Sequence, residues 1–175
     1  MVDYITDEVK SYIGKESQWV ECTDEVEKGQ IRRHFQAIMD PDPCYWDEAY
    51  AKKTKFGGIV APPLFPLHAL RPAPGNPDQF EGTHLDPDYD GSRRGNVGGL
   101  DLPPVPLVRL LNGGNQVELY QQTKPGERIF FKSKYVDVFQ KDGRTGTMVF
   151  LLTETVYKNE KDEILMKGIQ TRIMR

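Results

Sequence analysis

The sequence is poor in the residues that build metal sites and disulfide frameworks. Its 175 residues include two cysteines, Cys22 and Cys44, and three histidines, His34, His68 and His84. Two thiols are too few for a disulfide framework or a cysteine-ligated zinc site, and the histidines lack metal-ligand spacing, so no metal is expected. Both cysteines read as reduced thiols of a cytoplasmic protein. An excess of positive charge is also missing: 23 Lys and Arg stand against 26 Asp and Glu, a net charge of -3. That balance supplies no global field for nucleic acid or an anionic membrane. No apolar run approaches the ~20 residues that cross a bilayer. Asp3, Asp7 and Glu8 stand where a secretory signal would need basic residues and then an apolar stretch.

What is present divides into two unlike halves of one expected domain, residues 1–175, large enough to bury a core. Ile5, Val9 and Ile13 recur at four-residue spacing and predict a short amphipathic helix stopped by Gly14. Gln18 to Cys22 fits a short strand. Ile31, Phe35 and Ile38 form an apolar stripe and predict a helix that ends near Met39, because Pro41 and Pro43 turn the backbone away from helical angles. Asp47 is a suitable N-cap for a helix over Glu48 to Lys53, and Gly57-Gly58 breaks it. Residues 59–70 are apolar, with prolines placed where a first helical turn tolerates them, which predicts a short buried helix around 64–70 carrying His68.

From Arg71 to Pro106 periodicity vanishes among prolines, glycines, Asp and Asn, so this stretch is expected to be a long irregular insertion of the kind that covers or shapes a site. The C-terminal half then reads as strands: Val117 to Gln122, Arg128 to Gln140, Thr147 to Lys158 and Ile164 to Met174, rich in β-branched and aromatic residues. Turn sequences join them at Pro125-Gly126, at Lys141 to Arg144 and at Asn159 to Asp162. Alternation puts Ile129, Phe131, Tyr135 and Phe139 on one face of the second strand, and Phe150, Leu152 and Val156 opposite Thr153 and Thr155 on the third. Helices followed by an antiparallel meander with one buried face make an α+β domain.

Two stretches carry a family resemblance. Asp40-Pro41-Asp42-Pro43-Cys44-Tyr45-Trp46-Asp47 and then Phe56-Gly57-Gly58-Ile59-Val60-Ala61-Pro62-Pro63 resemble the MaoC-like dehydratases, or (R)-specific enoyl-CoA hydratases. Active members there read Asp-x-Asn-Pro-x-His-x-Asp and then Ile-Val/Ala-His-Gly. The Ala-Pro-Pro ending resembles the N-terminal, FAS1-like dehydratase branch. Leu111 to Glu118, running into Lys124-Pro125-Gly126-Glu127, resembles the strand and turn that follow the central helix in that branch. The resemblance implies a hot-dog fold, a long central helix wrapped by an antiparallel sheet, with two such folds pairing edge to edge. It also implies acyl thioesters of coenzyme A or acyl carrier protein as substrates, no cofactor, and reversible addition of water across a 2,3 double bond.

That reaction needs a base for water, an acid for the α-carbon and donors for the enolate oxygen. By position Asp40 matches the family Asp, Asp42 stands for the Asn, and Tyr45 stands where the His would be. A phenol ionises near ~10 against ~6.5 for imidazole, so Tyr45 is a poor base at neutral pH. Pro62 takes the place of the second-motif His and removes a backbone donor. Asp40 reads equally as a turn residue before proline, Tyr45 and Trp46 as pocket or packing aromatics, and His68 as a packed histidine or a substitute base. Gly113-Gly114 suits either a close backbone approach to a thioester oxygen or a β-bulge, with Asn112 and Asn115 beside it as candidates to orient a carbonyl. Arg93, Arg94, Lys132, Lys134 and Arg172 are candidates for coenzyme A phosphates, although charges on a sheet face are commonly just solvated. His34 is expected on the exposed face of its helix.

The preserved frame around a lost histidine points to one half of a hydratase for a bulky or long acyl-CoA, paired with a second hot-dog chain that keeps the Asp/His motif. A self-sufficient homodimer using Asp40 and a non-catalytic acyl-CoA-binding protein are the alternatives. Neither a nucleic-acid nor a membrane partner is expected.

Overall fold

The computed structural model describes residues 2–69, 100–144 and 146–175. The chain runs α1 (Asp7–Lys10), β1 (Val20–Glu21), α2 (Lys28–Ala37), a 3-10 turn (Pro43–Tyr45), α3 (Glu48–Ala51), α4 (Phe65–His68), β2 (Leu110–Leu119), β3 (Ile129–Gly143), β4 (Gly146–Asn159) and β5 (Ile164–Met174). The strands form one antiparallel sheet in the order β1-β3-β4-β5-β2. Long strands rich in β-branched and aromatic residues, joined by tight turns, account for it. Buried Asn159 locks the last turn: its side-chain oxygen accepts from the Lys161 and Glu163 amides at 3.0 Å each.

The helices lie on one face and make two apolar clusters with it. The first joins Ile31 of α2, Tyr45, Ala51, Ile59 to Ala61 and Phe65 to Ile129, Tyr157, Leu165 and Met166 of the sheet. The second joins Val9 of α1 and Leu100 to Tyr135, Val138, Val149, Leu151 and Met174. Extended chain before α2 lies along the outer edge of β3, through hydrogen bonds from Ser17 N to Ser133 O (2.8 Å) and from Cys22 N to Ile129 O (2.8 Å). At the opposite edge β2 has β5 on one side, and most of its residues are exposed.

Several expectations are corrected. Two strand faces are reassigned. A bulge between Tyr135 and Asp137 shifts the alternation, so Val138 joins Tyr135 inside, while Phe139 turns outward and stacks on Phe150 at 5.0 Å. Because the side-chain period is two, one extra residue reverses every position after it. On β4 the inner face carries Val149, Leu151, Thr153 and Tyr157, and Phe150, Leu152 and Val156 lie on the other face. Strand β2 begins at Leu110 rather than Val117, because the polar stretch Asn112 to Gln116 pairs with β5 through backbone groups that any side chain supplies. The first helix spans only Asp7–Lys10, capped by Thr6, with turns up to Gly14 at φ 89°. Helix α4 is likewise four residues, and α2, at ten, is the longest among the described residues. The long central helix that the resemblance implies is therefore not among them.

The face assignment is testable by chemical denaturation. Leu151→Ala empties an inner position that is 1% exposed and should cost about 2–4 kcal/mol. Leu152→Ala, on the outer face, should cost less than about 1.5 kcal/mol.

Candidate active site

The two motif halves meet through backbone hydrogen bonds. The Val60 amide donates to the Cys44 carbonyl at 3.2 Å, and the Ala61 amide donates to the Thr123 carbonyl at 2.8 Å. The Gln122 side chain donates back to the Ala61 carbonyl at 3.2 Å. The motif thus hangs on the segment that follows β2. Asp42 accepts from the Cys44 amide at 2.8 Å and starts the turn that carries Tyr45. Asp47 accepts from the Tyr50 amide at 3.0 Å, the N-cap role its sequence predicts.

At the centre the Tyr45 hydroxyl donates to Asp40 Oδ2 at 3.2 Å. The other oxygen of Asp40 accepts from the Asp42 amide at 3.3 Å. Asp40 is half-buried and Tyr45 buried, its ring 6.1 Å from that of Phe35. Burial, and then the charge of Asp40 and its hydrogen bond, push the Tyr45 phenol up to about 12. Tyr45 is therefore a neutral donor throughout the physiological range, with no capacity to take a proton from water. Just before Asp40, Met39 has φ 57° and is 86% exposed, a backbone conformation uncommon for a residue with a side chain. Trp46 is 58% exposed, its indole NH donating to the Pro41 carbonyl at 3.3 Å, so it is a surface group beside the pair rather than packing. Pro62 is buried, its carbonyl accepting from the Phe65 amide at 2.9 Å where α4 begins.

His68 is grouped elsewhere. Its ring stands 5.1 Å from His34 and 5.7 Å from Phe65, and it lines a cavity with Asp24, Val26, Gln30, Arg33 and Ala69. His34 is not on an exposed face: it is half-buried, edge-on to Phe65 at 5.5 Å. Its position three residues after Ile31, on the same helical stripe, was the signal for this.

Gly113 and Gly114 make the bulge of β2, where Gly114 has φ 128° and its amide donates to Asn112 Oδ1 at 3.0 Å. A Cβ on Gly113 would meet Ile173 and Thr171 at 3.0 Å, which explains the glycine by packing. Asn112 and Asn115 are exposed on this edge strand. Lys132 is bonded to Glu16 at 2.7 Å. Arg172 pairs across the sheet with Leu151 on the inner face instead of facing solvent. Arg93, Arg94 and His84 lie outside the described residues. Cys22 and Cys44 are buried free thiols, and burial pushes Cys22 up to about 12, which makes it inert. Among the described residues no three His, Cys, Asp or Glu are placed to hold a metal, and no helix is long and apolar enough to cross a membrane.

Comparison with known proteins places this arrangement in a class. The ChsH1-ChsH2 complex of Mycobacterium tuberculosis superposes with a TM-score of 0.69 at 17% identity, over 95% of this chain and 86% of the other. The C-terminally truncated HadBC (3R-hydroxyacyl-ACP dehydratase) complex of the same organism gives a TM-score of 0.59 at 16% identity, over 93% and 96% of the two chains. The chain has the hot-dog fold of the MaoC-like dehydratases and R-hydratases. Residues 11–168 match the family model described as FAS1-like, dehydratase domain region, and the chain belongs to that family. A UPF0336 protein of Thermobifida fusca is 38% identical over 58 residues, which span 33% of this chain and 38% of that relative.

Burial holds the His34 pKa below its usual value. A depressed folded-state pKa means the unfolded chain takes up protons first, so this stability is present above about pH 6.5 and lost as pH falls below it. An NMR titration should place the His34 midpoint below about 6.5, and His34→Phe should flatten the fall in stability toward pH 5.

Proposed function

We propose that this chain is one subunit of an enoyl-CoA hydratase, or 3-hydroxyacyl-thioester dehydratase, for a bulky or long acyl-CoA. Its partner is a second hot-dog chain carrying the intact Asp/His motif. The observation that carries this reading is the Asp40–Tyr45 pair. The family frame is intact, but the group in the histidine position is a neutral phenol already spent on Asp40. Hydration requires a group that accepts a proton from water near pH 7, and the side chain bonded to Asp40 among the described residues is not one. The base therefore comes from the other chain, and the proton it takes returns to the α-carbon once the enolate forms. In this half, Asp40 and Tyr45 shape the wall, and Trp46 and Pro62 flank it.

Two further observations support a paired assembly. Among the described residues nothing pairs with the outer edge of β2, a ten-residue strand that is mostly exposed and carries a single charge, Glu118. Unprotected edges of that length are templates for another strand. The two solved structures above are also both complexes, ChsH1-ChsH2 and HadBC.

Loss of the conjugated double bond of an enoyl-CoA is the assay. The chain alone should leave the absorbance unchanged, and addition of a co-purifying hot-dog chain with the intact motif should start turnover. Asp40→Asn should leave turnover of the mixture nearly unchanged. Full activity of the lone chain, abolished by Asp40→Asn, would replace this reading with a self-sufficient homodimer. Saturable binding without turnover in any mixture would make the protein an acyl-CoA-binding module.

Tyr45→Phe isolates the pair. It should cost about 0.5–1.5 kcal/mol, the net worth of one hydrogen bond, measured by urea unfolding.

A further inference from the structure

The inner face of the sheet is apolar at both ends and polar between them. At one end stand Tyr157, Met166 and Val117, and at the other Leu151, Met174 and Leu110. Between them the register places Tyr135, Thr153, Gln170 and Asn115 in one row across β3, β4, β5 and β2. Arg172 and Asn112 pair two residues further along β5. The row runs from the interior to solvent: Thr153 is 1% exposed, Gln170 is half-buried and Asn115 is exposed.

Stability does not account for this row. A buried polar group costs free energy unless it is hydrogen-bonded. The adjacent pair meets that requirement, since Ser133 Oγ and Thr155 Oγ1 share a hydrogen bond at 2.9 Å. Thr153 does not, because its hydroxyl is buried with no hydrogen-bond partner among the described residues. Its cross-strand neighbour Tyr135 donates instead to the Asp101 carbonyl at 3.2 Å. On the other side Gln170 Oε1 accepts from Arg172 Nε at 3.2 Å, which commits that oxygen and leaves the amide nitrogen to donate. Asn112 Oδ1 is committed in the same way, to the Gly114 amide at 3.0 Å. The band is therefore rich in donors.

Donors call for an acceptor. A plain hydrocarbon would leave Thr153 as it is, and a cation would meet Arg172. A carboxylate would have to shed its water beside buried Thr153, at a higher cost than a neutral oxygen. A carbonyl oxygen accepts from the hydroxyl and the amide without carrying charge, and the hydrocarbon around it suits the apolar ends of the face.

We propose that this row recognises a keto oxygen carried on the acyl group, with Thr153 and Gln170 as its donors. The proposal rests on the thioester reading above and deepens it, by adding to the bulky acyl group a polar substituent remote from the thioester. Thr153 lies four residues along β4 from Tyr157, about 13 Å, and Tyr157 shares the first apolar cluster with Tyr45.

The test is calorimetry on the full chain, alone and with the co-purifying hot-dog chain. It compares two long-chain enoyl-CoAs of equal length, one of them with a keto group near its far end. The keto compound should bind about three- to tenfold more tightly, as one added hydrogen bond contributes. Thr153→Val keeps the shape and removes the hydroxyl, so it should abolish the preference with the melting temperature held or raised. Gln170→Leu should shrink the preference with the circular dichroism spectrum unchanged. Equal affinity for the two compounds, or a preference that survives both variants, overturns the keto site and leaves the thioester reading standing. A lowered melting temperature in Thr153→Val makes the hydroxyl structural and also overturns the site. If the free keto acid binds through Thr153 as tightly as its coenzyme A thioester, the site stands and the thioester reading is removed. No binding of any of the three compounds overturns both.

Discussion

Val60 and Ala61 each donate one backbone hydrogen bond across the gap between the motif and the sheet, to Cys44 at 3.2 Å and Thr123 at 2.8 Å. The candidate site depends on these two contacts. The 3-10 turn of Tyr45, the four-residue helices and the Ala-Pro-Pro stretch are too short to be stable alone. Both residues are fully buried, so the amides have no water to turn to, and an unpaired amide there would be costly. The same stretch leads into α4, whose Phe65 is fully buried and packs edge-on against His34. One buried strip therefore holds the Asp40–Tyr45 pair on one side and the His34–His68 pair on the other.

That division matters for chemistry. A hydratase centre needs its acid and base on one substrate, within hydrogen-bond reach. Here the ionisable groups have different neighbours: Asp40 has Tyr45, and His68 has His34 and Phe65. Asp40 is bound to a phenol that stays protonated, and His68 lies against rings beside a polar cavity. Among the described residues neither location holds a complete set, in line with the pairing proposed above. The exposed edge of β2 and the exposed Trp46 and Met39 beside Asp40 leave surface there for the proposed partner chain.

Much of the fold was legible because it rests on local rules. The turns at Pro125-Gly126 and Asn159 to Asp162, the Asp47 cap and the bounds of β5 follow from turn chemistry, capping and β-branched content, all readable over a few residues. What was misread depended on partners distant in sequence. The bulge at Val136 has no marker residue, yet it moved Phe139 from one face to the other. The faces of β4 were ambiguous because both carry apolar residues, and burial was decided by which face the helices cover. His34 looked like a surface residue until Phe65 and His68 packed against it.

The amino-acid sequence by itself determined the class of protein, the position of the motif and the presence of Tyr45 where the resemblance expects a histidine. Each is a matter of residue identity at a spacing, which folding does not alter. Only the tertiary structure decided how the substitute residue behaves. Tyr45 becomes a buried donor to Asp40 because the turn at Asp42 and the strip from Ile59 to Ala61 close around it, and burial beside a carboxylate keeps the phenol neutral. Likewise only the packing of α4 against α2 set His68 against His34 and Phe65. Proton affinity and proximity depend on dielectric and on contacts made across the fold, and neither is written in the order of residues along the chain.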